Sequence, residues 1–371
     1  MIATVQRGLK VLSTSALTDT DTIPTEVNTA NAFLSITFRT SGGTEGRQKR
    51  RSWNAKITSG TQITFERLDN GDAGVATTCA WEVTEFASGE AVVQKNATAE
   101  NPTADPLSVT ISAVVIARSI VVWNFATAQD TPVAGNTPTA YFPDTTHIEF
   151  DCFGTPLSND WKAFWAVVEF NSGDATVQSS TITISGTTLS VTAAPGTNFG
   201  STAATVLVLS HRAAVESDVY SRTLLRLRAT AVGELTLDRG NPIGSGTGTI
   251  TARYHALEFL DGTTVQYVDA DMVGASSAAP SISAVTIARS MLLSSGWQNA
   301  KRDHSVTIQE PQSFATLELA STAVTATRTS ATGNLYVPCY VIQFEAAGGA
   351  GATPKGVFGK ALHGPLRRAV Y

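Results

Sequence analysis

The chain of 371 residues carries a net charge of −5, only 15% of its residues are charged, and Ala, Thr, Ser, Gly and Val dominate. That charge fraction lies well below the ~25% of an average globular chain, and no basic excess points to a nucleic-acid partner. No run of 18 apolar residues occurs, so no membrane partner is expected, and the first strand pattern starts at once, so no leader peptide is expected.

Taken in order, residues 1–92 form a first unit. ATVQRGLKVL predicts a strand, TDTDTIPT a polar turn, and NAFLSITFR (Asn31 to Arg39) a strand with two partly apolar faces. The loop TSGGTEGRQKRRS leads into WNAKI and ITFER, RLDNGDAG marks a hairpin turn, and WEVTEF (Trp81–Phe86) closes the unit. Residues 93–176 carry ISAVVIARSIVVW, THIEFDCF and WAVVEF. Residues 177–264 carry TITISGTTLSV, TVLVLSHR, LLRLRA, ELTLDRG and YHALEF. Residues 265–347 carry ISAVTIARSMLL, HSVTIQ, FATLELA and CYVIQF. Each unit thus holds five or six short strands and no helix. Residues 348–371 shift to a Gly-rich linker and a basic tail.

The units are copies of one pattern. Their closing phenylalanines fall at 86, 170, 259 and 344, and the Val-Gln pair opening each unit falls at Val5, Val93, Val177 and Val265. A period of this size marks a tandem array. Within it, ISAVVIARS of unit two matches ISAVTIARS of unit four, and ITFER of unit one matches LTLDR of unit three. The fold class expected is therefore all-β, a tandem array of four small antiparallel units of two alternating types, with an extended C-terminal tail. In WAVVEF, Trp165, Val167 and Glu169 face one way and Ala166, Val168 and Phe170 the other. Both faces are largely apolar, as for a strand lying between two layers or between a unit and its neighbour. The position before each closing phenylalanine holds Glu85, Glu169, Glu258 or Gln343, expected to pair with an arginine or a backbone amide.

Chemistry-bearing patterns are sparse. Five histidines lie far apart and none shows zinc-ligand spacing. His255, in a closing strand, is expected to be packed or at the surface. GSGTG (Gly244–Gly248) precedes a strand and so is a hairpin turn, since a phosphate cradle needs a helix N-terminus. Asp19 with Asp21, and Asp269 with Asp271, do not align between units and lack further oxygen ligands. Cys79, Cys152 and Cys339 cannot form a closed disulfide framework and are expected as buried free thiols in a reducing cytoplasm. No catalytic, cofactor or metal residue is assigned, and the chain is read as no enzyme. The densest charge, Arg47, Lys49, Arg50 and Arg51, is a candidate contact for an anionic ligand or partner, because arginine forks match carboxylates and phosphates. In the tail, Lys355, Phe358, Lys360, Arg367, Arg368 and Tyr371 combine positive charge with apolar anchors and form a candidate docking arm.

The order VQ-x-G, apolar strands and W-x-V-x-E-F resembles the H-type lectin domain and looks like the tandem β-units of tailed-bacteriophage virion proteins. VQRG at Val5–Gly8 and VQSS at Val177–Ser180 match the opening, WEVTEF and WAVVEF the closing; VQKN, VQYV and Cys339 depart from it. The resemblance implies a six-stranded antiparallel β-sandwich per unit and a homotrimer or other symmetric oligomer. It also implies a non-enzymatic virion protein assembled in the host cytoplasm. Two roles follow as expectations: a tail fibre or appendage protein contacting host cell-surface glycan, or a capsid decoration or tail adaptor docking on other virion proteins through its tail. A trimer of two alternating unit types would stack pseudo-sixfold rings along the chain.

Overall fold

A computed structural model of the chain describes residues 1–40, 53–68, 76–98, 104–127, 138–151, 161–186, 188–213, 225–239, 249–294, 301–303, 315–329, 331 and 334–346. Unit one contributes β1 (Ala3–Leu12), β2 (Thr18–Thr22), β3 (Ala32–Thr40), β4 (Asn54–Ser59), β5 (Gln62–Glu66) and β6 (Thr77–Phe86). Unit two contributes β7 (Ala91–Ala97), β8 (Leu107–Thr110), β9 (Ser119–Thr127), β10 (Thr139–Asp144), β11 (His147–Asp151) and β12 (Trp161–Phe170). Unit three contributes β13 (Ala175–Ile184), β14 (Ser190–Ala193), β15 (Thr205–Ala213), β16 (Leu225–Ala231), β17 (Glu234–Arg239) and β18 (Ile250–Phe259). Unit four contributes β19 (Thr264–Val273), β20 (Ser277–Ala278), β21 (Ser290–Leu293), β22 (Lys301–Asp303), β23 (Thr316–Leu319), β24 (Val324–Thr327) and β25 (Asn334–Gln343).

The four units share one topology. The last strand of each unit, which runs up to the closing phenylalanine, lies between the first and third strands, giving β1-β6-β3, β7-β12-β9, β13-β18-β15 and β19-β25-β21. The next-to-last strand lies between the second strand and the strand just before it, giving β2-β5-β4, β8-β11-β10, β14-β17-β16 and, past the extra strand β22 of unit four, β20-β24-β23. Every pairing between these strands is antiparallel, and β22 extends the main sheet of unit four along β25. Two three-stranded sheets per unit make a small sandwich. Among the described residues the only helical pieces are single 3₁₀ turns, each leading into a third strand, as at Thr29–Asn31 and Ile287–Arg289.

One sequence reading is corrected. TDTDT forms strand β2, paired with β5, where a polar turn was expected. Its aspartates are held by local partners: Asp19 accepts from the Ser13 amide at 2.9 Å, and Asp21 accepts from the Trp81 indole at 2.8 Å. Alternation of Thr with Asp hides the strand from an apolar periodicity. The repeated ISAV-x-IARS likewise holds a 3₁₀ turn, Ile116–Arg118 or Ile287–Arg289, before the strand begins at the serine.

The closing strand works on both faces. Cys79, Trp81 and Val83 join the core between the two sheets of unit one, as Ala163, Trp165 and Val167 do in unit two and Val337, Cys339 and Val341 in unit four. The alternate residues, among them Ala166, Val168 and Phe170 or Tyr340, Ile342 and Phe344, enter a separate cluster that draws on all four units. At its centre the four closing phenylalanines meet edge to face in a closed circuit. Phe86 lies 6.2 Å from Phe170, Phe170 5.9 Å from Phe259, Phe259 6.4 Å from Phe344, and Phe344 5.8 Å from Phe86, centroid to centroid. The units therefore do not lie in a row. They surround an axis, and unit four returns to unit one.

Contacts between units repeat around this axis. The opening strand of each unit packs on the 3₁₀ turn of the preceding one: β7 on Thr29–Asn31, β13 on Ile116–Arg118, β19 on Thr202–Ala204, and β1 on Ile287–Arg289. The sixth residue of a third strand also ties to the second residue of a strand of the preceding unit's small sheet, β4, β10 or β23. The Asn124 carboxamide accepts from the Ala55 amide at 2.8 Å, the Ser210 hydroxyl from the Ala140 amide at 3.2 Å, and the Thr37 hydroxyl from the Leu317 amide at 3.0 Å. The last of these joins unit four to unit one. A head-to-tail interface of this kind makes a ring only if the rotation closes. Here it closes at four units.

Because the phenylalanine circuit joins all four units, truncating any member should weaken the whole chain. Phe170→Ala is expected to cost about 3–5 kcal/mol, read from the midpoint and slope of urea unfolding. A loss below 1 kcal/mol would count against a load shared through the axis.

Candidate functional site at the unit interfaces

The repeated glutamine of each opening strand has a defined task. Gln6 donates to the Thr25 carbonyl and accepts from the Thr25 amide, both at 2.8 Å. Gln94 holds Ser112 in the same two-bond grip at 2.9 and 2.7 Å, and Gln266 holds Ser283 at 3.0 and 2.7 Å. Gln178 accepts from the Thr197 amide at 2.6 Å. A carboxamide pairing with one residue's N–H and C=O imitates a strand partner, so the Val-Gln motif pins the segment entering each third strand.

The position before the closing phenylalanine secures the same segment from the other side. Glu85 accepts from the Asn28 amide at 2.7 Å, Glu258 from the Ser201 amide at 3.0 Å, and Gln343 from the Thr286 amide at 3.0 Å, while Glu169 takes the Arg118 guanidinium at 2.6 and 3.0 Å. The expected pairing with an arginine or a backbone amide holds at all four positions.

Three buried arginines that follow or end the next-to-last strand of units one, three and four cap the loop after the opening strand. Arg67 donates to the carbonyls of Ala16 and Thr14 at 2.8 and 2.9 Å. Arg239 donates to Thr188 at 2.7 Å and also to Gly186, and Arg328 to Ala275 and Met272 at 2.8 and 3.0 Å. The likeness of ITFER to LTLDR carries this signal, since the arginine and the preceding acid sit at matching places in both.

That preceding acid serves the interfaces. Glu66 bridges Lys56 of its own unit at 2.6 Å and Lys162 of unit two at 2.9 Å. Burial pushes its carboxyl up, but the hydrogen bonds from both lysines outweigh this and hold it below the usual range. Asp151 pairs across to unit three with Arg253 at 3.2 Å and with Arg212. Asp238 binds Arg228 at 2.6 Å and Arg226 at 3.2 Å, and Arg226 reaches on to Asp269 of unit four at 3.4 Å.

A second set of side chains stands four residues before each closing phenylalanine, on the face turned away from the unit's own core. Glu82 binds Arg7 at 2.8 Å and accepts from the Leu292 amide of unit four at 2.7 Å. Burial raises its carboxyl, and Arg7 and the amide offset this only in part. His255 is buried, lies 2.6 Å from the Ser179 hydroxyl through Nδ1, and meets the Phe142 ring of unit two at 5.7 Å. Tyr340 is buried against Tyr267 at 5.4 Å. Unit two has only Ala166 there. A cavity of about 250 Å³ lies beside it, between units one and two.

The residues singled out beforehand are distributed as follows. Arg47, Lys49, Arg50 and Arg51, the tail residues Lys355, Phe358, Lys360, Arg367, Arg368 and Tyr371, the GSGTG turn and Cys152 lie outside the described residues. Cys79 and Cys339 are buried free thiols. Asp19 and Asp21 lie in β2 and Asp269 and Asp271 in β19, with Asp269 accepting from the Tyr267 hydroxyl at 2.6 Å. No cluster of three or more metal-ligating side chains occurs among the described residues, and no helix among them is long and apolar enough to cross a membrane. No protein-family model matches the chain, and no curated protein matches it.

The interface histidine sets a pH dependence. Burial lowers the His255 imidazole from 6.5 to about 4, so the folded chain holds it neutral where the unfolded chain protonates it. Its contribution is fully present above about pH 6.5 and is lost as pH falls toward 4, to the extent of about 3 kcal/mol. Urea unfolding at pH 7, 5 and 4 should show this loss in the wild type and a smaller one in His255→Gln. Equal acid sensitivity of the two chains would refute it.

Proposed function

We propose that the chain is a non-enzymatic structural component of a tailed-phage virion, a fibre or appendage subunit that presents a preassembled ring to the host surface. The observation that carries this reading is the employment of the buried polar groups. Glu82, Asp151, Asp238 and His255 are all committed to partners that hold strands or units together. Strongly shifted titratable groups are often the mark of catalysis, yet structural networks shift them too, and Glu82, Asp238 and His255 sit in ties between layers and neighbours. A sugar-contacting role draws further support from the likeness of the unit pattern to H-type lectins. Several weak sites carried by a symmetric oligomer would gain strength by linkage.

The basic segment from Lys355 to Arg368, without an acidic residue, supplies the docking arm in this reading, and other virion proteins are its partners. Mass spectrometry of purified particles from a host carrying the gene should find the chain as a constituent. The purified chain should bind host cells saturably, in competition with their surface polysaccharide. Binding to particles that lack the chain, but not to cells, and lost on removal of residues 355–371, would assign it instead as a capsid decoration or tail adaptor. Absence from purified particles would overturn the virion reading altogether.

A further inference from the structure

The ring offers an internal comparison, because each interface shows what the same position does in a different sequence. Four residues before the closing phenylalanine, the register pairs Glu82 with Arg7, Ala166 with Lys95, His255 with Ser179, and Tyr340 with Tyr267. In three units the two side chains meet: an ion pair at 2.8 Å, a hydrogen bond at 2.6 Å and a ring contact at 5.4 Å. In unit two Lys95 faces an alanine, and beside that alanine lies the cavity of about 250 Å³.

The interface between units four and one shows what is missing. Arg7 donates to the carbonyls of Ile287 and Ser290 at 3.1 and 2.5 Å, and the Glu82 carboxylate lies between Arg7 and the Leu292 amide. Between units one and two, Lys95 donates to the equivalent carbonyls, that of Ala32 at 2.7 Å and that of Thr29. The residue equivalent to Leu292 is Leu34, the third of its strand, and it lines the cavity. A cation and a strand position matching the carboxylate-binding amide are thus in place, and the carboxylate is not.

We propose that this cavity is a binding site for a small carboxylate, which takes the place that the Glu82 side chain fills at the matching point of the ring. An ammonium has three donors, and two of those on Lys95 serve the carbonyls of Thr29 and Ala32, leaving one for the ligand. Lys56 also lines the space but is paired with Glu66 at 2.6 Å, so Lys95 is the cation that faces the ligand, and the lining contains no carboxylate of its own. The space exceeds that of a carboxylate group but falls short of the roughly 300–1,000 Å³ of sites for drug-sized molecules. A single compact body therefore accompanies the acid group. Asn96 and Asn124 also line the space, and each carboxamide has more donors and acceptors than its backbone contacts to Ala97 and Ala55 use. Amides of this kind suit hydroxyl groups, which makes a sugar acid the ligand class.

The test is titration of the full chain with D-glucuronate, followed by calorimetry or NMR, with glucose and acetate as controls. Glucuronate should bind at least tenfold more tightly than either control. Ala166→Glu, which copies the arrangement around Glu82, should weaken glucuronate binding at least tenfold while its thermal midpoint stays at or above that of the wild type. If that variant fails to fold, Ala166→Tyr, after Tyr340, carries the same expectation. No binding of glucuronate, or undiminished binding in the filled variant, would overturn the site; acetate binding as tightly as glucuronate would overturn the sugar-acid assignment. Either failure leaves the virion reading where it stands, because that reading does not depend on this cavity.

Discussion

The circuit of Phe86, Phe170, Phe259 and Phe344 is the constraint on which the rest of this structure depends. A sandwich of two three-stranded sheets in some 85 residues buries too little surface to be more than marginally stable alone. Each closing strand solves this by being apolar on both faces, so the main sheet of every unit is covered once by its own small sheet and once by the other units. Edge-to-face rings add directionality to that burial, since the positive rim of one ring meets the negative face of the next. Four rings in such a circuit satisfy one another only if the circuit is complete.

Closure also explains how one sequence pattern serves four different interfaces. The invariant parts are backbone-directed: the glutamine grip, the acid or amide before the phenylalanine, and the opening strand resting on the neighbour's 3₁₀ turn. These tolerate drift elsewhere because they read main-chain atoms. The side chains between them are free to diverge, and in units one, three and four they have done so in compensating pairs. Gly8 stands opposite Trp81, where a methyl group would come within 2.5 Å of the indole, Ser180 stands opposite Tyr254, and Val268 opposite Cys339. The departures of unit four from the opening and closing pattern are therefore one exchange of volume. Units one and three lie across the ring from each other, as do units two and four, so the alternation of types in the sequence becomes a twofold character within a fourfold frame.

Much of this was legible in the residues. The spacing of the closing phenylalanines exposed the units, and the two apolar faces of WAVVEF implied a strand between layers. The pairing of Glu85, Glu169, Glu258 and Gln343 followed from their place near strand ends. Closure of the ring was not legible, because a repeat period records that neighbours touch and carries no angle between them. The grip of Gln6 on Thr25 was hidden for a different reason: the partner is a main-chain group 19 residues away, and any residue type can supply it. Strand β2 was missed because TDTDT earns its pairing from Asp21 and Trp81, a contact that no local periodicity contains.

The same logic decides what an interface position means. Read alone, Glu82 is a buried acid with a raised pKa and His255 a buried imidazole with a lowered one, and either could pass for a catalytic group. Placed in register with Ala166 and Tyr340, they are four solutions to one packing problem: a space between a main sheet and the preceding unit, opposite the residue that follows the Val-Gln pair. An acid fills it when the facing residue is an arginine, an imidazole when it is a serine, and a phenol when it is a tyrosine. Where the facing residue is a lysine and the filling residue an alanine, the position keeps its charge and loses its counterpart. Among these four positions of a ring built on repeated complementarity, the unfilled one has a cavity beside it with room for something from outside the chain.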